Sequence, residues 1–128
     1  MSDLNPHGVK IEIGGRERSL LFTLNVVDDI QDRCNMPLFD AVKGVAEFIS
    51  HNAGDRESNN TFRKVLTALI NGEPGAEPVS EKEVGDMVHL GNHMQIASAI
   101  LEAYGISVPD PDEDEDEEDE DPNVETGQ

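Results

Sequence analysis

The sequence holds one cysteine, no tryptophan and a single tyrosine, and none of its nine lysines and arginines lies beyond Pro109. Each shortage excludes something. A lone Cys34 cannot make an intramolecular disulfide framework, and it fits a reducing compartment. With Phe22, Phe39, Phe48, Phe62 and Tyr104 as the whole aromatic complement, a core must come mostly from Leu, Ile, Val and Met. No apolar run approaches the ~20 residues that cross a bilayer. The opening MSDLNPHGVK has no basic segment leading into an apolar one, so no signal peptide is expected. A net charge of −19 argues against nucleic acid and anionic membranes as direct ligands.

Catalytic and metal motifs are also wanting. His89 and His93 stand four apart, a spacing that can put two imidazoles on one helical face, but Gly91 interrupts them and no third ligand is signalled. They read as surface or capping histidines. Asp110, Asp112 and Asp114 alternate like calcium ligands. Glu115 and Asp121 stand where such a loop needs its glycine and its bidentate glutamate, so only diffuse cation condensation is expected. Cys34 falls on an apolar helical face and reads as a small hydrophobe rather than a nucleophile. Asp28, Asp29 and Asp32 read as a solvated helix face, and Gly14-Gly15 as a turn rather than a phosphate cradle. The expectation is a protein that is not an enzyme and takes no cofactor or metal.

What is present is a charge run and a series of short periodic segments. Asp110 to Asp121, DPDEDEDEEDED, is acidic at all but one position. Like charges with nothing apolar beside them predict a disordered tail over residues 109–128. The tail carries −12, and the domain predicted over residues 1–108 carries −7.

Within that domain Val9, Ile11 and Ile13 alternate with Lys10 and Glu12, the period of a half-buried strand. Gly14-Gly15 then turns the chain, and Glu17 to Thr23 is the expected return strand. Asn25 or Thr23 caps a helix with Val26, Val27, Ile30 and Cys34 on one face. Pro37 opens a second helix with the stripe Leu38, Phe39, Val42, Val45, Ala46 and Ile49. HNAGDRESNN, residues 51–60, reads as a polar loop. Phe62, Val65, Leu66, Leu69 and Ile70 mark a third helix, stopped by Gly72. Ser80 and Glu83 form a capping box for a fourth. Gly91-Asn92 breaks the chain before a last helix with Met94, Ile96, Ala97, Ile100, Leu101 and Tyr104, ending at Gly105. The predicted class is α+β, mostly helical: an N-terminal β-hairpin, then about five short helices.

The stretch from Ile11 to Arg33, IEIGGRERSLLFTLNVVDDIQDR, resembles the tail assembly chaperones of long-tailed phages and prophages. There a strand and tight turn lead to a second strand with L-x-F-T-x-N, then a helix with I-Q-[DE]-[KR]. The Phe62–Ile70 helix and the Pro78–Val84 stretch, PVSEKEV, are similar to later parts of the pattern, which covers about residues 9 to 104. The acidic tail lies outside it. The resemblance implies a non-enzymatic chaperone in the host bacterial cytoplasm, absent from the mature virion. It would bind the tape measure protein while the tail tube is built, with the tail tube protein as a second partner of a longer frameshifted product.

Under that reading the helices with most excess apolar surface supply the partner-binding candidates: Leu38, Phe39, Phe48, Met87, Val88, Met94 and Tyr104. The alternative for each is a place in the core, since apolar stripes usually face inward. Uncovered apolar area also favours a homo-oligomer. The alternative for the whole protein is an acidic decoy that captures basic proteins through its tail.

Overall fold

The computed structural model describes residues 8–107; the predicted acidic tail lies outside them. The chain begins with β1 (Val9–Ile13) and β2 (Arg16–Leu20), an antiparallel pair with Val9 opposite Leu20 and Ile13 opposite Arg16. Gly14 and Gly15 have φ of 66° and 86°, the positive values that a two-residue hairpin turn requires. Ile13 and Leu20 are fully buried on the inner face of the hairpin.

Arg18, opposite Ile11, is buried as well. Its Nε donates to the Ile13 carbonyl at 2.9 Å, which satisfies a polar group where an apolar one is the usual choice. Burial and the nearby Arg16 pull its pKa below the ordinary arginine value, against the pull of Glu73.

The return strand stops at Leu20, three residues short of the expected Thr23. The cause is local. The Thr23 N–H donates to the Leu21 carbonyl, and Thr23 Oγ1 accepts from the Val26 N–H as the N-cap of α1 (Leu24–Cys34). The cap bends the chain away from the ladder, so Leu21 and Phe22 become a connector. Phe22 then packs edge-on against Tyr104, with ring centroids 5.6 Å apart.

Helix α1 buries Val26 and Ile30 and closes at Asn35, which is left-handed with φ 56°. Pro37 is the N-cap of α2 (Leu38–His51), where no side chain caps the backbone; the Leu38 N–H donates instead to Gln31 Oε1. The buried face of α2 is Ala41, Val42, Gly44, Val45 and Phe48. Phe39 and Ala46, both expected on the apolar stripe, are exposed. They are seven residues apart, and so share a face other than the buried one. Gly44 is required by close approach: a Cβ there would sit 2.6 Å from Thr61 Cγ2 on the next helix.

The expected polar loop over 51–60 is mostly helix. Asp55 caps α3 (Arg56–Asn71) by accepting from the Ser58 N–H at 2.9 Å, so the connector is only residues 52–55. That bond holds the Asp55 carboxyl below its ordinary pKa. Polarity concealed this helix start: Arg56 and Glu57 are exposed, and the residue that turns inward, Ser58, is itself polar. Helix α3 is the centre of the molecule. Every residue from Val65 to Ile70 is buried, and it packs on α1, α2, α4 and β2.

The capping box at Ser80 and Glu83 is present and starts α4 (Glu81–Met87), which buries Val84. The break at Gly91-Asn92 is present too. Asn92 Oδ1 accepts from the His89 N–H, and Asn92 Nδ2 donates to the Met87 carbonyl. Helix α5 (His93–Ser107) then packs on α2 and on both strands, burying Ile96, Ala97, Ala99, Ile100 and Ala103. It passes through Gly105 rather than ending there. The architecture is a two-stranded hairpin followed by five helices.

Candidate functional site

The seven partner-binding candidates do not share one environment. Phe48 is core: it is 3% exposed, its ring stacks on Phe62 at 4.0 Å, and His93 meets it edge-on at 5.7 Å. Leu38, Met87 and Val88 are half-buried against the core. Met87 covers the hairpin turn, since a Cβ at Gly14 would lie 2.8 Å from its sulfur. Tyr104 is half-buried against Phe22. Only Phe39, at 60% exposed, and Met94, at 40%, present large apolar side chains to solvent.

Phe39 carries Lys43 Nζ 5.6 Å from its ring centroid, which holds the ring in place without hiding it. Sequence periodicity missed three further exposed residues, Leu24, Leu90 and Ile106. Each lies at a helix end or in a connector, where no stripe reveals the direction of a side chain.

Phe39 and Met94 stand well apart. His93 Nε2 donates to Asn52 Oδ1 at 2.8 Å, so the start of α5 meets the end of α2. Phe39 lies in the first turn of α2, nine positions before Phe48, and so ~13 Å further along that helix. The two exposed side chains do not form one patch.

A chain of ion pairs ties three helices together. Arg33 on α1 donates to Asp29 and to Glu81, both at 3.0 Å, and Lys64 on α3 reaches the other Glu81 oxygen at 3.1 Å. Partial burial opposes the Glu81 charge, and the bonds from Lys64 and Arg33 outweigh it, leaving its pKa below the ordinary value. Cys34 lies in the field of the same charges. Burial is the largest effect on its thiol and pushes the pKa up, which suits a packing residue rather than a nucleophile.

The two histidines spaced for a metal do not share a helix. His93 opens α5 and is buried, while His89 is exposed, its Nδ1 accepting from the Gly91 N–H. Among the described residues no three His, Cys, Asp or Glu side chains cluster as a metal site. No helix there is long and apolar enough to cross a membrane.

A cavity of about 130 Å³ opens beside His93, between α2, α3 and the α4–α5 corner. Its apolar wall includes Phe48, Ala53, Phe62, Val84 and Val88. Asn59 and His93 supply polar groups, with Arg63, His89 and Leu90 also at its edge. Sequence reasoning did not find it. The one available signal was that His93 keeps the spacing of the buried face of α5, three and four residues before Ile96 and Ala97.

No protein-family model, curated protein or solved structure matches the chain.

Proposed function

We propose that the protein is a tail assembly chaperone of a long-tailed phage or prophage, acting without catalysis in the host cytoplasm. Its client on this reading is the tape measure protein. The observation that carries the reading is Phe39, an exposed aromatic ring on α2 in a sequence with only four phenylalanines, within a chain that resembles that family. A chaperone for a long helical client needs apolar anchors that its own fold does not consume. Phe39 and Met94 are such anchors, and the methionine thioether adapts to many helical registers of a client.

The −12 tail has a separate task on this reading. It does not hold an apolar helix, but it keeps chaperone–client complexes apart over roughly a Debye length, ~8 Å at physiological salt.

Co-expression with the long helical protein encoded downstream, followed by capture, tests the proposal. Phe39→Ser with Met94→Ser should lose the client while circular dichroism stays unchanged. Chain truncated after Val108 should retain it, and 1 M salt should not release it. Capture that needs only the tail, or that salt abolishes, refutes the proposal in favour of an acidic decoy for basic proteins.

A further inference from the structure

Among the described residues the sheet has two strands, and β1 pairs with β2 alone. The other edge of β1 therefore offers N–H and C=O groups to a further strand, a feature that proteins usually blunt or cover. The turn fixes which groups these are. Gly14-Gly15 is a two-residue turn, so Ile13 and Arg16 close the hairpin as a hydrogen-bonded pair. Ile11 and Val9 follow in the same role at every second position. The backbone groups of Lys10 and Glu12 point away from β2.

There is room beside them. A groove of about 530 Å³ is bordered by Ile11 and Glu12 of β1 and, across from them, by Met87, Asn92 and Gln95. Ile11 sits opposite the buried Arg18 on the inner face, while Glu12 is exposed on the outer one. A space that touches both faces runs along the edge of the strand.

The side chains specify what fits. Lys10 and Glu12 are exposed; within the hairpin Lys10 faces Ser19, and Glu12 faces the like charge of Glu17. Among the described residues the ion pairs belong to Arg33, Asp29, Glu81 and Lys64, so Lys10 and Glu12 have no opposite charge there. The strand VKIEI contains both complements itself. Laid antiparallel on a second copy about Ile11, it sets Lys10 of each chain opposite Glu12 of the other. Ile11 then meets Ile11, and Val9 meets Ile13. Lys10 and Glu12 are also the residues whose backbone groups face outward, so charge and hydrogen bonding agree on one register. A slip of two residues either way would set Lys10 against Lys10 or Glu12 against Glu12. Strand β2 has no such match, because its central residue, Arg18, would face itself.

We propose that the β1 edge is a self-association surface whose partner is a second copy of this chain. The two hairpins join as one antiparallel sheet across a two-fold axis at Ile11, held by reciprocal Lys10–Glu12 pairs. One self-complementary surface serves both partners, as a two-fold interface requires. Ile11, half-buried in the single chain, is covered by its counterpart. The inference does not depend on the tail-assembly reading, and its test needs no client.

Sedimentation of the full chain over a concentration series at physiological salt should show a monomer–dimer equilibrium. Lys10→Glu and Glu12→Lys should each weaken it roughly tenfold or more, because each turns both reciprocal attractions into repulsions. Circular dichroism should stay unchanged in both. Glu12→Lys should melt no lower than the original, since it relieves the opposition to Glu17, so its loss of association is not unfolding. Both changes in one chain should restore the dimer. Mixing the two single variants should restore it too, with one copy of each. Ile11→Cys should cross-link between chains on mild oxidation, because facing residues of that pair lie ~4.5 Å apart at Cα, within disulfide range. The unaltered chain, with Cys34 alone, should not cross-link. A monomer up to the solubility limit overturns the proposal. A dimer that both single changes leave intact forms elsewhere and overturns the edge. Failure of both the double variant and the mixture to restore association overturns the Lys10–Glu12 register.

Discussion

Arg33 on α1 donates to Glu81 on α4 at 3.0 Å, across 48 positions of sequence. Glu81 also accepts from Lys64 on the central helix, so one carboxylate joins three helices. Helix α4 is only two turns long and would not hold its place by propensity alone. The ion pairs and the buried Val84 are what seat it.

Glu81→Gln should therefore destabilise the domain at neutral pH, by about 1 kcal/mol given the partial exposure of the groups. The folded pKa of Glu81 is depressed, so its contribution is present above the ordinary carboxylate value of 4.5 and is lost as pH falls through the lower folded value. Urea melts of both proteins at neutral pH should differ, and the difference should shrink below pH 4.5. A constant difference across that range would assign the loss to packing.

Phe48 and Phe39, nine positions apart on α2, should respond to very different degrees to the same change. Phe48→Ala empties a site between Phe62 and His93 and should cost about 3–5 kcal/mol. That is a large share of the 5–15 kcal/mol typical of a domain, so thermal melting should drop sharply. Phe39→Ala should cost less than about 1 kcal/mol, because its ring is exposed in the folded chain too. Comparable losses would mean that the Phe39 ring is covered in solution.

The hairpin turn separates two glycines. Gly14→Val should destabilise by more than about 1 kcal/mol, since its φ of 66° disfavours a β-branched residue and its new Cβ meets Met87. Gly15→Asn should be nearly neutral, because nothing lies within 4 Å of its added Cβ and asparagine accepts positive φ. Denaturant midpoints of the two variants give the comparison, and a Gly14 variant as stable as the original would rule out this turn geometry.

Leu66 is fully buried in α3, and Leu66→Asp places an unpaired charge among apolar neighbours. Loss of the helical circular dichroism signal is expected. Truncation after Val108 should instead leave that signal and the cooperativity of melting unchanged, because the buried apolar set of the described residues ends at Ala103. A truncated chain that no longer melts cooperatively would show that residues beyond Val108 support the fold.

The order of elements was legible because each is signalled by neighbours in sequence. The alternation at Val9, Ile11 and Ile13, the Gly14-Gly15 turn and the Ser80–Glu83 capping box all depend on residues within a few positions of one another, and all are present. The start of α3 was not legible, because Asp55 caps a first turn whose polar residues look like a loop. Nor was the end of β2, where a strand pattern continued through Phe22 and the Thr23 cap overrode it.

The candidate surface shows the same division more sharply. Periodicity identified Phe39 and Phe48 together as apolar residues of one helix, and local sequence cannot tell them apart. Packing does: Phe62 and His93 close over Phe48, while Phe39 stays 60% exposed beside Lys43. The cavity depends on tertiary structure entirely. Its lining comes from α2, α3, α4, α5 and the connectors after α2 and α4, brought together across the chain. Sequence set the charge, the helix-forming stripes and the turns, because these act over one or two turns of backbone. Which apolar side chains remain exposed was decided when the helices packed, because burial is a property of residues far apart in sequence.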